Sequence, residues 1–377
     1  MTKLYPMDFG AIGDGITDDH SSLQACMNAA GALCGATVVV DRMYATSLPV
    51  IVPDFVHVVG DGGSAGFIAI GSADIQGLLR ITGSTTTGPS LGWNAVKYQR
   101  FLSMSAPIPI GTYLRIDATI NDPATYNMAF TTKIHHSAAS DINLGFLLPF
   151  NFYTTNQHTV SLLTMRTGVC VSGLNFKNGN ATGNNVGIWA TNIDETCSIS
   201  RCFFSELRGG GAIVSSSYGA SIEGLTMLRC GGTEVDFGIY ACTAMRVRGV
   251  FSDKSQYFGP MFSGVHHSTI SEIICNFANG RGIKINGCSM NVFFGLIVNR
   301  PENSGISLQN HSCSNVLSMC QANGSSSSLN GDGIGIKDNG EHNLDNVVSL
   351  YSARNNISGD ASFQPGFGTV RVGAVPA

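Results

Sequence analysis

Charge is scarce in this chain: Asp, Glu, Lys and Arg make up 12% of 377 residues, and the formal net charge is -4. So small and slightly acidic a balance supplies no basic field for nucleic acid or an anionic membrane. Long apolar runs are missing as well. None approaches the roughly 18 residues of a membrane span, and the first residues show no basic-then-apolar leader, so neither membrane insertion nor a signal peptide is expected. No Cys-x-x-Cys pair and no Cys/His spacing of the zinc type occurs. The Cys count is 11, an odd number, and most of them fall inside apolar patterns: Cys170, Cys197, Cys202, Cys230, Cys242, Cys275, Cys288, Cys313 and Cys320. We expect reduced Cys serving as small apolar residues, which implies folding in a reducing compartment. No metal and no cofactor is expected.

Glycine, by contrast, is plentiful, with 46 residues. High Gly with low charge suits short strands joined by tight turns. Those strands repeat. Val171, Ile199, Ile222, Val247, Ile270, Val292 and Val316 are spaced by 28, 23, 25, 23, 22 and 24 residues. A second series, Gly187, Gly211, Gly238, Gly259, Gly282, Gly305 and Gly333, is spaced by 24, 27, 21, 23, 23 and 28. Two anchors drifting together mark stacked coils. Inward apolar and outward polar residues alternate around them, as strands require. The period is too short for TPR or ankyrin units, and the leucine-rich signature is absent. The expected fold is all-β: a parallel β-helix, or solenoid, whose coils share one core.

At the start, Asp8-Phe9-Gly10-Ala11-Ile12-Gly13-Asp14-Gly15-Ile16-Thr17-Asp18-Asp19 reads as a turn-rich entry to a helix over about Asp19 to Gly31, with Thr17 or Asp18 as its cap. Leu23, Cys26, Met27 and Ala30 share one face, so this helix is expected to plug the exposed end of the first coil. The three Asp residues lack EF-hand spacing. The expected divisions are 1–35 (strand and capping helix), 36–83 (first coils), 84–159 (a β-rich excursion where the period is lost), 160–350 (main coils) and 351–377 (closure of the far end). Within the excursion, Tyr113 to Asp117 and Ala129 to Ile134 read as strands. Ser325 to Ser328 read as a loop.

The opening stretch, Gly35 to Val40 with Tyr44, and Leu147-Leu148-Pro149-Phe150 followed by Val169 to Phe176 together resemble the pectate-lyase-like right-handed parallel β-helix superfamily, and most of all its bacteriophage tailspike depolymerases. One departure is Asp41-Arg42-Met43 in place of the usual Pro-Ala-Gly turn. The resemblance implies a right-handed helix and a homotrimer. It also implies a bacterial surface polysaccharide (capsule, exopolysaccharide or O-antigen) as partner. The implied location is a virion tail or the extracellular space after lysis, with folding in the host cytoplasm.

Counting seven positions past the first anchor in each coil gives Glu206, Arg229, Lys254, Phe277 and Asn299; one position earlier gives Asp253 and Asn276. A polar column on one edge is expected, with Glu206 and Asp253 two coils apart. Their backbones would lie about 9 to 10 Å apart, which brings the carboxyls into the range of roughly 6.5–9.5 Å of an inverting glycosidase. Glu234 and Asp236 are expected to project from the enlarged turn beside them. The candidate catalytic groups are Glu206, Asp253, Glu234 and Asp236: one carboxyl protonates the leaving oxygen and another activates water. Arg229, Lys254, Tyr257, Tyr240 and Asn276 are the candidate substrate-binding residues. A polysaccharide lyase, using Lys254, Arg229 or Tyr257 as base, and a non-catalytic receptor-binding β-helix are the alternatives. The polygalacturonase Arg-x-Lys element is matched out of register at Arg281 and Lys284, and the epimerase Asp-Pro-His-Glu element is absent. Trp93 and Trp189 are expected as sugar platforms or packing residues. The pairs His135-His136 and His266-His267 are expected on surfaces or turns.

Overall fold

The computed structural model describes the chain except residues 122–124, 139, 153–157, 180, 233–234, 325–333, 339–344, 355–358, 364–369 and 375–377. It is a right-handed parallel β-solenoid of about 12 turns. One sheet of 18 strands wraps two faces of each coil, and a sheet of 10 strands forms the third. Every pairing in both is parallel. Val171, Ile199, Ile222, Val247 and Ile270 are stacked in register, and all point into the core.

Two anchors differ from the expected series. Ile270 pairs with Phe293, and Phe293 with Leu317, so Val292 and Val316 point outward. The run Val292-Phe293-Phe294 is apolar at every position, so alternation alone does not say which residue faces in. In the glycine series, the backbone N–H groups of Gly211, Asp236, Gly259 and Gly282 donate to Asp236, Phe258, Arg281 and Ser304. The slot therefore belongs to Asp236, not Gly238.

The coils turn at stacked left-handed residues. Between the two faces of the first sheet stand Gly173, Arg201, Gly224, Gly249, Glu272, Gly295 and Met319, all with φ between 51° and 68°. The next corner holds Glu206, Arg229, Lys254, Phe277, Arg300 and Gly324, with φ between 50° and 68°. A non-Gly residue in this conformation costs about 1–2 kcal/mol, which the ladder bonds on either side offset. Buried amides brace another turn: Asn291 Nδ2 donates to Asn315 Oδ1 (2.9 Å), and Asn315 Nδ2 to Asn346 Oδ1 (3.0 Å).

The core runs continuously from Ala11 to Val348 and includes stacked rings, such as Phe176 on Phe204 at 5.0 Å. All 11 Cys are free thiols and nine of them are buried, so they pack as small apolar residues. The helix His20–Ala32 adds Leu23, Cys26, Met27 and Ala30 to this core. Its N-terminal Asp19 makes no side-chain cap; it turns back and accepts bonds from the N–H groups of Ile12 (2.7 Å) and Gly13 (3.0 Å). Gly13, at φ 68°, has no room for a side chain: a Cβ would lie 2.1 Å from Arg42 Cδ.

Six antiparallel strands between Ser84 and Thr164 form a separate sheet with its own core around Phe130 and Phe152. This excursion docks on one edge of the solenoid. Thr131 Oγ1 donates to Ala241 O (2.7 Å), Tyr113 Oη to Glu195 Oε2 (2.6 Å), and Lys133 Nζ lies 2.7 Å from Glu195 Oε1. His266 sits in a turn, as one of the two expectations had it, but not at the surface. It is fully buried against Ala129 O (3.0 Å) between Phe130 and Phe150, because the excursion covers that turn. Beyond Leu350 the parallel ladders continue through Gly359–Phe363 and Val370–Ala374. Ser325 to Ser328 lie outside the described residues.

Candidate functional site

The edge singled out by the periodicity exists, as two adjoining columns rather than one. Glu206, Arg229 and Lys254 occupy successive left-handed corners. The Glu206 N–H donates to Leu228 O, the Arg229 N–H to Asp253 O and the Lys254 N–H to Asn276 O. One position earlier, on the strands, Leu228, Asp253, Asn276 and Asn299 are paired in order. Asn299 thus stands with Asp253 and Asn276, and the corner place above Phe277 belongs to Arg300. Asn299 Nδ2 donates to Asn276 Oδ1 at 3.0 Å, so the strand column becomes an amide ladder above Asp253.

Arg229 lies 3.3 Å from Glu206, with both side chains more than half exposed (54% and 57%). An ion pair so wet adds little stability, so it orders the edge rather than holding the fold. Glu206 and Asp253 sit two coils apart, a backbone separation of about 9 to 10 Å. Tyr257 is exposed in the turn that follows Lys254.

Two expected members are elsewhere. Asp236 does not project into this edge: it is 1% exposed, points inward and bonds the Ser252 hydroxyl and the Phe237 N–H. It takes a glycine slot in the coil, so its side chain enters the core. Burial pushes its carboxyl up to about 7. Tyr240 ends the strand Phe237–Tyr240 on the other sheet, on the far side of the same turn. Glu234 lies outside the described residues.

Tyr240 belongs instead to a cleft of about 480 Å3, lined also by Asp74, Gln76, Asn184, Trp189 and Ser215, on the outer face of the ten-stranded sheet. Its shape follows from register. Trp189, Ile213 and Gly238 are level on three coils, as are Thr191, Ser215 and Tyr240 two positions on. Gly238 leaves its place bare and the Tyr240 ring lies over it; a Cβ there would sit 2.4 Å from Tyr240 Cε2. Trp189 and Tyr240 therefore stand on either side of Ile213. Trp189 Nε1 donates to Thr191 Oγ1 (3.1 Å), which lies 3.0 Å from Ser215 Oγ. At the rim, Asp74 Oδ1 accepts the Asn184 N–H at 2.7 Å. Two aromatic rings, an apolar floor and a rim of amides and hydroxyls suit a ligand with apolar faces and polar edges. The size is that of small-molecule sites in general.

The sequence signal for half of this cleft was available, since Thr191, Ser215 and Tyr240 follow the coil spacing. Asp74 and Gln76 gave none, because the excursion separates them from their neighbours. The other candidates are not among the lining residues of the cleft. Trp93 is exposed on the excursion. His267 is half-buried, with Nε2 2.8 Å from Leu147 O, and burial lowers its pKa. Lys284 Nζ lies over the Phe258 ring at 5.9 Å. No group of three or more His, Cys, Asp or Glu among the described residues is arranged to hold a metal ion. Among the described residues no helix is long and apolar enough to cross a membrane.

Comparison with solved structures finds the same fold in phage tailspikes. The tailspike gp61 of Pseudomonas phage phi297 superposes with a TM-score of 0.63 at 13% identity, over 94% of this chain and 75% of that one. The tailspike gp49 of Pseudomonas phage LKA1 gives 0.56 at 11%, over 99% and 81%. The enzymatically active domain of tailspike protein 2 from bacteriophage CBA120 gives 0.51 at 14%, over 93% and 47%. No protein-family model matches the chain, and no curated protein matches it in sequence. At such identities the likeness is one of fold.

Proposed function

We propose that this chain is a tailspike-type depolymerase, which binds a bacterial surface polysaccharide along its coils and cleaves it by hydrolysis. The observation that carries this is the Trp189–Tyr240 cleft on the flank of a β-helix. Pyranose rings have the apolar faces and hydroxyl edges that such a cleft fits. Cleavage falls to the carboxylates on the opposite side of the turn. Glu206, ion-paired to Arg229, activates water. Asp253, two coils on, protonates the leaving oxygen. Lys254, Asn276 and Tyr257 hold the sugars around them. In keeping with the tailspike likeness, the chain works as a homotrimer in a phage tail.

Incubation with capsule, exopolysaccharide or lipopolysaccharide tests the reading. New reducing ends without unsaturated, ultraviolet-absorbing ends are expected. Unsaturated ends would make the chain a lyase, and retention without cleavage would make it a binding module.

A further inference from the structure

The cleft also carries information about which sugars enter it. Its only charged lining side chain among the described residues is Asp74. That carboxylate is exposed to solvent yet fixed, because Oδ1 accepts the backbone N–H of Asn184 on the neighbouring coil at 2.7 Å. The remaining polar lining comes from Gln76, Asn184, Ser215 and Tyr240, all neutral. Arg80, level with Trp189 on the adjacent coil, directs Nε along its own strand to Thr82 Oγ1 at 3.2 Å, and it does not line the cleft. A fixed negative charge at the rim repels an anionic ring and leaves an uncharged one unaffected.

We infer that Asp74 is a specificity-determining residue that reserves this cleft for uncharged sugars, such as hexoses and N-acetylhexosamines, and excludes uronates. The inference rests on the polysaccharide reading above. It places the first contact with substrate at a different point from the carboxylates that cleave it.

The experiment uses the full chain on immobilised bacterial polysaccharides, sorted into those with uncharged repeats and those bearing uronates. Wild type is expected on uncharged polymers only. Asp74→Asn should raise retention on uronate-bearing polymers relative to uncharged ones by several-fold to about a hundredfold, the span set by solvent and partly buried dielectrics. That gain should shrink as salt is raised. Trp189→Ala and Tyr240→Ala should lose both. Wild-type retention by uronate polymers, unchanged or weakened in Asp74→Asn, would overturn the inference and leave the polysaccharide reading standing. Undiminished retention of every polymer by Trp189→Ala and Tyr240→Ala would remove the cleft from recognition. Absence of retention across the whole panel, by a chain shown to be folded, would overturn the polysaccharide reading itself.

Discussion

Asp236 meets Ser252 inside the solenoid, at a level where neighbouring coils set a glycine against a bulkier side chain. Gly187 faces Phe204, Gly259 faces Cys275 and Gly282 faces Val298, each so tightly that a Cβ would come within 2.5 Å of the opposing side chain. Where the glycine is replaced by Asp236, the opposing residue shrinks to Ser252, and its hydroxyl bonds the carboxyl. Volume and hydrogen bonding are exchanged together across one coil. Ser252→Val alone should therefore destabilise by about 1–3 kcal/mol, by crowding and stranding the carboxyl. Asp236→Gly with Ser252→Val recreates the Gly282–Val298 pairing found two coils on and should recover most of that loss. Urea midpoints of the two single variants and the double variant supply the coupling.

The same carboxyl gives a pH signature. Burial raises it from an ordinary value of 3.8 to about 7. Between those values the folded chain keeps a proton that the unfolded chain releases. Its stabilising contribution is thus complete below about pH 4 and is lost as pH rises through 7, with a slope of at most about 1.4 kcal/mol per unit. Buried His266, whose pKa burial lowers to about 3, works in the opposite direction from pH 3 to 6.5, so the Asp236 part is read as a difference: the thermal midpoint of Asp236→Asn relative to wild type should rise across the window. Asp236→Asn should flatten this component of the profile.

Asn315 holds the buried amide ladder between Asn291 and Asn346. Asn315→Ala leaves both partners short of a bond in a dry turn. A loss of about 1–3 kcal/mol for each is expected, read as a lower denaturation midpoint. Asn299→Ala, in the partly exposed ladder, should lose less, because water replaces the missing amide.

For cleavage, Glu206→Gln and Asp253→Asn should each lower turnover by about 10^2 to 10^4, with little change in retention on the polymer. Full activity in both would assign the chemistry elsewhere. Arg229→Ala should act more weakly, through the placement of Glu206.

Phe251 is exposed on one outer face of the 18-stranded sheet; across the corner of Gly249 and Gly295, Phe294, Val292 and Val316 are exposed together on the other, with Val292 and Val316 paired on adjacent coils. A patch of this kind on a sheet face marks an interface. If the trimer forms there, Val292→Ser with Phe294→Ser should give a monomer by light scattering. A trimer that persists would move the contact to another face.

Much of this architecture was legible from spacing. The coil period located the inward residues from Val171 to Ile270, and the edge that carries Glu206 and Arg229. It slipped by one at Val292, where three consecutive apolar residues hide the alternation, and by two at Gly238, where a buried Asp holds the place of Gly. Asp236 read as a solvent-facing acid because nothing local marks Ser252 as its partner, 16 residues on. The cleft was half visible. Trp189 and Tyr240 stand out in the sequence as aromatics, but the ladder register is what puts them in one groove, and Asp74 comes close to Asn184 only once the coils have closed around the excursion.

That closure sets an order of events during synthesis. Asp74 waits for a partner 110 residues away. At ribosomal speeds the interval is about 5–20 s. Throughout it, the strand Leu79–Thr82 presents an unfinished edge, and such edges recruit other chains. The excursion, whose antiparallel sheet is assembled from its own sequence in that interval, is the first structure able to form beside the open edge before the next coil seals it.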